Sequence, residues 1–158
     1  MPTLAAIYRY PVKSTAAEAL GTARVQQEGL AHDRRFMVVK PNGAFVTARR
    51  YPVLQTITAR FDGSRLTLVH DDQVAVAESV AQFARQRFET GVWADDFPAW
   101  TTTLRLDAWV SRIVGEPVHL LWLGEQSSRF RDKLGVRVSF ADGYPLLLTS
   151  EASLADIN

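Results

Sequence analysis

The sequence predicts an α+β domain: a mostly antiparallel, barrel-like sheet with one clear helix near residues 104–114 and a short, truncated helix at the C-terminus. Three observations predict it. Short runs of β-branched and aromatic residues recur through most of the chain, separated by Pro, Asn, Asp and Gly turn signals. Residues 104–114 carry apolar side chains at clear helical spacing. Hydrophobic residues make up 47% of the 158 positions and charged residues 22%, enough apolar surface for a core and against wholesale disorder.

In chain order, residues 4–10 read as a strand that Pro11 stops, with Val12-Lys13-Ser14 as a loop. Residues 19–27 read as a second, weaker strand. Residues 33–40 and 44–49 form a hairpin across Pro41-Asn42-Gly43. Proline lacks the N–H that a two-residue Asn-Gly loop needs at its closing pair, so a type I turn with Gly43 in the left-handed bulge position is expected. Lys40 then faces Ala44. By the two-residue period Arg34, Phe36 and Val38 share a core-facing side with Val46, Ala48 and Arg50. Thr47 and Arg49 point away from Arg34 in this register; the two-residue loop would reverse that.

Further on, Tyr51-Pro52-Val53-Leu54 is a turn or one helical turn. Residues 56–61 and 65–69 form a hairpin around Asp62-Gly63-Ser64, and Asp71-Asp72 turns into a strand at 73–77. Residues 83–93 look extended, and Asp95-Asp96-Phe97-Pro98 is expected to break that run. Helix 104–114 has a Thr run at 101–103 for N-caps and Gly115 and Pro117 at its end. Residues 118–123 are a strand, 127–133 a polar, mobile loop, and 145–148 a short buried strand. Ser150 caps a helix over 151–157. Two turns at a free end are marginal in water, so the expectation is a fragment whose domains divide into 1–123 and the 124–158 opening of a second unit.

Formal net charge is +1, which is no global signature for nucleic acid or membrane. An aromatic platform for single strands built from Trp93, Trp100, Trp109 and Trp122 is a minor reading beside core or cleft packing. With no cysteine, thiolate ligands, disulfides and a Cys nucleophile are excluded within this chain. No signal-peptide layout or membrane-length apolar run is visible, and the expected location is the cytoplasm. The histidines, His32, His70 and His119, lack ligand spacing, so no metal site and no catalytic residue is read.

Three features suit an anion. Lys13-Ser14 follows a strand through a proline-fixed bend, where a lysine beside a hydroxyl suits phosphate, although most loop lysines are simply solvated. Arg34, at the edge of a core face, needs an internal carboxylate or a bound anion. Thr149 and Ser150 stand before a helix start, where they are an ordinary N-cap or add donors to an anion site. Thr47 and Arg49 add further hydroxyl and positive charge.

Tyr10-Pro11-Val12-Lys13-Ser14, Gly29-Leu30, Asp33-Arg34, Phe36-Met37-Val38, Gly43, Phe45-Val46-Thr47-Ala48-Arg49, Pro52 and Leu54, in this order and spacing, resemble the N-terminal β-barrel domain of MOSC-domain proteins. The run from Ser150 to Asn158 resembles the first helix of the MOSC domain proper. The pattern is similar to bacterial relatives of the mitochondrial amidoxime-reducing component. The resemblance implies a molybdenum cofactor, a phosphate-bearing pterin, held between the two domains. It assigns Lys13, Ser14, Arg34, Thr149 and Ser150 to cofactor binding and leaves Thr47 and Arg49 open. It also implies reduction of N-hydroxylated compounds in the intact enzyme, an electron-donor partner, and the remainder of the MOSC domain as the covering partner. The family's metal-ligating cysteine is absent from this chain, so the fragment is expected to bind no cofactor and to catalyse nothing alone.

Two other readings stand beside this one. The barrel is a non-catalytic docking module for a protein or single-stranded nucleic acid. Or the chain belongs to a sulfur-transfer MOSC protein linked to pyridoxal phosphate chemistry, with Lys13 as a Schiff-base lysine; that needs a desolvating pocket, which the sequence does not reveal.

Overall fold

A computed structural model describes residues 1, 3–71 and 75–157. Its strands are β1 Ile7–Arg9, β2 Glu18–Leu20, β3 Val25–Gln26, β4 Gly29–Leu30, β5 Phe36–Val39, β6 Ile57–Phe61, β7 Arg65–His70, β8 Val76–Ser79, β9 Arg87–Val92, β10 Asp95–Thr101, β11 His119–Trp122, β12 Phe130–Arg131 and β13 Val136–Arg137. Helix α1 is Leu104–Val114, α2 is Glu151–Ala155, and one 3-10 turn, Pro52–Thr56, precedes β6. The fold is α+β, and every strand-to-strand pairing among these elements is antiparallel. Hydrogen bonding divides into a four-stranded sheet in the order β5-β11-β10-β9, a three-stranded sheet β6-β7-β8, and three two-stranded ribbons.

Two cores explain the sequence pattern. Phe36, Val38, Leu120 and Trp122 from one side of the large sheet pack with Ile57, Ala59, Phe61, Leu66 and Leu68 of the small sheet and with Leu106 and Val110 of α1. Met37, Val39 and Leu121, on the opposite side, pack with Val92, Phe97, Ala99, Leu123 and Phe140. Strands β5 and β11 are therefore buried on both faces, which is why they read as unbroken apolar runs rather than alternations. In β6, buried and exposed positions do alternate, because one face meets water. Helix α1 begins where the Thr103 hydroxyl accepts the Leu106 N–H at 3.2 Å and ends at Gly115 with φ 85°.

The 41–43 turn has the expected geometry. Gly43 N donates to Lys40 O at 2.9 Å, Lys40 N donates to Ala44 O at 2.8 Å, and Gly43 takes φ 86°. Val38 and Val46 are joined through the Val46 N–H, and Phe36, Val38 and Val46 share one core. The pairing then stops. Residues 47–51 close into a turn, with the Arg50 and Tyr51 N–H groups both on Thr47 O, so the register no longer governs Ala48 to Arg50. Arg34 also leaves the strand period, since its φ is 44°.

Other expectations are corrected. The first strand is shorter than 4–10, and 19–27 divides between β2 and β3. Asp95 to Pro98 do not break the 83–93 run; they start β10, which pairs back along β9 from Val92 to Arg87. Pro98 is tolerated there because its carbonyl is taken by the Ser128 hydroxyl at 2.5 Å, not by β9. Its missing N–H faces that same side, beyond the short pairing with β11 at Trp100 and Thr101, so no ladder bond is lost. The 127–133 segment, expected as a polar, mobile loop, buries Ser127 and Arg129 and contains β12. Residues 145–148 form no strand, and Leu147 and Leu148 are exposed. The expected turn at Asp71-Asp72 and strand at 73–77 fall partly on Asp72, Gln73 and Val74, outside the described residues; β8 occupies the later part. Among the described residues no helix is long and apolar enough to cross a membrane.

Candidate anion-binding site

The Tyr10 to Thr15 loop is sewn onto the approach to β5. Tyr10 N donates to Asp33 Oδ1 at 2.8 Å, Arg34 N to Tyr10 O at 2.7 Å, Phe36 N to Pro11 O at 3.0 Å and Lys13 N to Phe36 O at 2.8 Å. Val12 makes the parallel bridge to Phe36 and is itself buried. Proline at 11 suits this arrangement, since that position supplies a carbonyl and needs no donor. Ser14 then turns the chain with φ 69°. The loop and the Asp33-Arg34 step are thus held as one unit, which brings Lys13 and Arg34 together from separate parts of the sequence.

Lys13 is not a solvated loop lysine; only 5% of it is exposed. Its ammonium donates to Asp142 Oδ1 at 2.7 Å and to Phe140 O at 3.0 Å, and lies 5.8 Å from the Phe45 ring centre. Burial lowers its pKa, with Arg34 and Arg129 nearby adding to the effect and Asp142 opposing it. The desolvation that the sequence did not reveal is present here. Arg34 meets the internal-partner reading: its Nη1 donates to Asp33 Oδ2 at 2.6 Å, and its guanidinium lies 4.3 Å from the Tyr10 ring centre. The Arg34 side chain remains half-buried, with an edge still open to water. Burial pushes the Asp33 carboxyl above its usual range against the pull of Arg34 and the Tyr10 N–H.

Asp142 is the residue that sequence reasoning missed. Besides Lys13, its Oδ1 accepts the Trp93 indole N–H at 3.0 Å. Burial alone would raise its carboxyl; the bond to Lys13, the Lys13 charge, the Trp93 donor and the Arg49 charge together hold it below the usual value. Arg49 lies 5.1 Å from the Trp93 ring centre, and Phe45 meets the same indole edge-on at 5.3 Å. Trp93 itself is 56% exposed, in the turn between β9 and β10, so it is no core tryptophan. No local signal marked Asp142, because its partner Lys13 lies 129 positions away.

The backbone that carries Asp142 is clamped from below. Buried Arg129 donates to the carbonyls of Ser139 at 3.1 Å, Ala141 at 2.5 Å and Asp142 at 3.1 Å, and its Nη2 pairs with Asp95 Oδ2 at 2.7 Å. Arg131 adds longer bonds to the carbonyls of Asp142 and Gly143, both at 3.3 Å. Asp95 is therefore an ion-pair residue in a strand and no turn carboxylate. Counted over this cluster, five cations (Lys13, Arg34, Arg49, Arg129 and Arg131) meet three carboxylates (Asp33, Asp95 and Asp142). The surplus of two positive charges would balance a phosphate monoester dianion, and the donors are of the kind such a group takes.

Not every expected residue joins this cluster. Thr47 is half-buried and uses its carbonyl to close the 47–51 turn. Thr149 and Ser150 are exposed and bond only locally among the described residues: the Thr149 hydroxyl lies 3.5 Å from Ser150 O, and Ser150 Oγ accepts the Ser153 N–H at 3.1 Å as the cap of α2.

The chain resembles known proteins along most of its length. The family model described as the MOSC N-terminal beta barrel domain matches residues 1–117. A molybdenum cofactor sulfurase from Bos taurus is 30% identical over 162 residues, covering 96% of this chain and 18% of that protein. Mitochondrial amidoxime-reducing component 1 from Homo sapiens is 28% identical over 174 residues, covering 99% of this chain and 50% of that protein. The chain thus spans half or less of the length of these relatives. A Bordetella bronchiseptica protein solved in solution aligns with a TM-score of 0.51 at 14% identity, over 80% of this chain and 97% of that one, a likeness of fold alone. On the family match, which covers about three quarters of its residues, the chain belongs to the MOSC N-terminal beta barrel domain family.

Proposed function

We propose that this chain supplies the phosphate-holding side of a molybdenum-cofactor cleft, as the N-terminal part of a MOSC oxidoreductase that reduces N-hydroxylated compounds. The observation that carries this is the buried ammonium of Lys13, with Arg34 beside it and with Arg49 beside its partner Asp142, the most exposed carboxylate of the cluster. The cofactor, when bound, supplies the redox-active metal and its pterin. The residues of this chain bind and orient it. Lys13 provides a buried point charge toward the phosphate, and the open edge of Arg34 a second, directional donor. Ser14, which turns the chain directly after Lys13, adds a hydroxyl in this reading. Thr149 and Ser150 belong to this reading only if the 143–150 segment folds back when the remainder of a MOSC domain covers the face. An electron-donor protein or domain then completes the system.

The test is cofactor content. The chain is produced joined to a complete MOSC domain under molybdenum-replete expression, and molybdenum and oxidised pterin are quantified. Both are expected at near-equal stoichiometry, falling at least ten-fold in Lys13→Ala and Arg34→Ala. Unchanged content in both variants overturns the site assignment.

A further inference from the structure

We propose that Asp142 is a built-in occupant of the anion site: its carboxylate holds the place on Lys13 and Trp93 that a phosphate takes, and it must turn out into water before an anion binds there. This rests on the reading of the Lys13–Arg34–Arg49 face as an anion site, and adds to it how the site is kept closed.

Four features argue for displacement rather than a fixed ion pair. The Asp142 side chain is 66% exposed while its partner Lys13 is nearly sealed, so the carboxylate has solvent to turn into and the lysine has not. The backbone of Asp142 stays in place without its side chain, because Arg129 and Arg131 hold the carbonyls of Ser139, Ala141, Asp142 and Gly143. Both donors that grip the carboxylate, Lys13 Nζ and Trp93 Nε1, reach the same oxygen, Oδ1, so one bond rotation releases both. Arg49, against the Trp93 ring, makes no hydrogen bond to Asp142 among the described residues and is available to a larger anion.

The reason the site closes on itself is the cost of an unpaired buried ammonium. With Asp142 turned away, Lys13 keeps the neutral Phe140 carbonyl and the Phe45 ring face, and no counter-charge on its ammonium among the contacts described. Opening is therefore tied to the arrival of a replacement anion. The carboxylate carries one negative charge and a phosphate close to two, and the cluster has two positive charges in surplus, so the exchange favours the dianion.

The experiment uses inorganic phosphate as the probe with the parent chain, Asp142→Asn, Lys13→Ala and Trp93→Phe. Calorimetric titration is expected to show phosphate binding at least ten-fold tighter in Asp142→Asn than in the parent, and binding lost in Lys13→Ala. In the parent, the Trp93 indole N–H resonance, assigned by its absence in Trp93→Phe, is expected to shift on saturation with phosphate as Asp142 lets go. If parent and Asp142→Asn bind equally, or Asp142→Asn more weakly, and Lys13→Ala abolishes both, the anion site stands and the internal-occupant proposal falls. If neither the parent nor Asp142→Asn binds phosphate, both fall. Should Asp142→Asn fail to fold, the parent titration decides: an indole resonance that stays put up to the highest phosphate concentration overturns the proposal.

Discussion

Lys13 and Asp142 meet at 2.7 Å although 129 positions separate them in the chain. One is nearly sealed from water and the other largely open to it. That asymmetry makes the pair informative, because acid acts on the accessible partner while the cost of an unpaired charge falls on the buried one.

The pair gives stability a definite pH dependence. The Asp142 carboxyl is held below its usual value in the folded chain, so the unfolded chain takes up a proton first as pH falls. Its stabilising contribution is complete above the ordinary carboxylate range, near pH 4, and is lost as pH drops through the lower folded value. Asp33, whose folded value is raised, acts in the opposite sense: its contribution is complete below the ordinary range and lost as pH rises through its folded value. In Asp142→Asn the loss of melting temperature between about pH 5 and pH 2 is therefore expected to be smaller than in the parent. Parallel acid limbs in thermal scans of the two proteins would remove Asp142 from the account.

Arg129 is the clamp under the site. Arg129→Ala leaves Asp95 without its main partner and frees the carbonyls of Ser139, Ala141 and Asp142. A loss of about 3–5 kcal/mol in urea unfolding is expected, as for other broken buried pairs. Arg131→Ala, whose bonds are longer and more exposed, is expected to cost under about 1 kcal/mol. Equal costs would mean that Arg129 is not the main clamp on this segment.

Two glycines with similar φ separate backbone strain from close packing. Gly43, at φ 86°, has no room for a Cβ, which would lie 2.5 Å from Glu89 O. Gly115, at φ 85°, has nothing within 4 Å of the same atom. Gly115→Ala is expected to cost about 1–2 kcal/mol, the left-handed penalty alone. Gly43→Ala should exceed it, because the β9 backbone must also move. Chemical denaturation of both variants checks the order.

Leu106 ties α1 to the sheets and is fully buried in the larger core. Leu106→Ala is expected to destabilise by about 2–5 kcal/mol with little change in the denaturant slope. Leu104→Ala, at an exposed position on the same helix, should stay within about 0.5 kcal/mol of the parent. Comparable losses at the two positions would contradict the packing described for α1.

The sequence by itself determined what depends on neighbours along the chain. Helix 104–114 was legible because its spacing, its Thr103 cap and its Gly115 stop are all local. The 41–43 turn was legible because proline forbids one loop type and glycine permits the other. The motifs carrying Lys13 and Arg34 were legible in the same way, as short strings. Tertiary structure decided everything that depends on partners. Asp95 to Pro98 read as a break, yet they form a strand, because a proline on the unpaired side of a strand sacrifices no bond. Residues 127–133 read as a polar loop, yet Arg129 is buried, because the carbonyls that satisfy it come from Ser139, Ala141 and Asp142. Lys13 read as a loop lysine, and its burial and its pairing with Asp142 follow from where the chain returns much later. Local backbone preferences are written in short stretches of sequence; the pairing of a buried charge is written in the fold, since any of 17 acidic residues could have met it and geometry selected one.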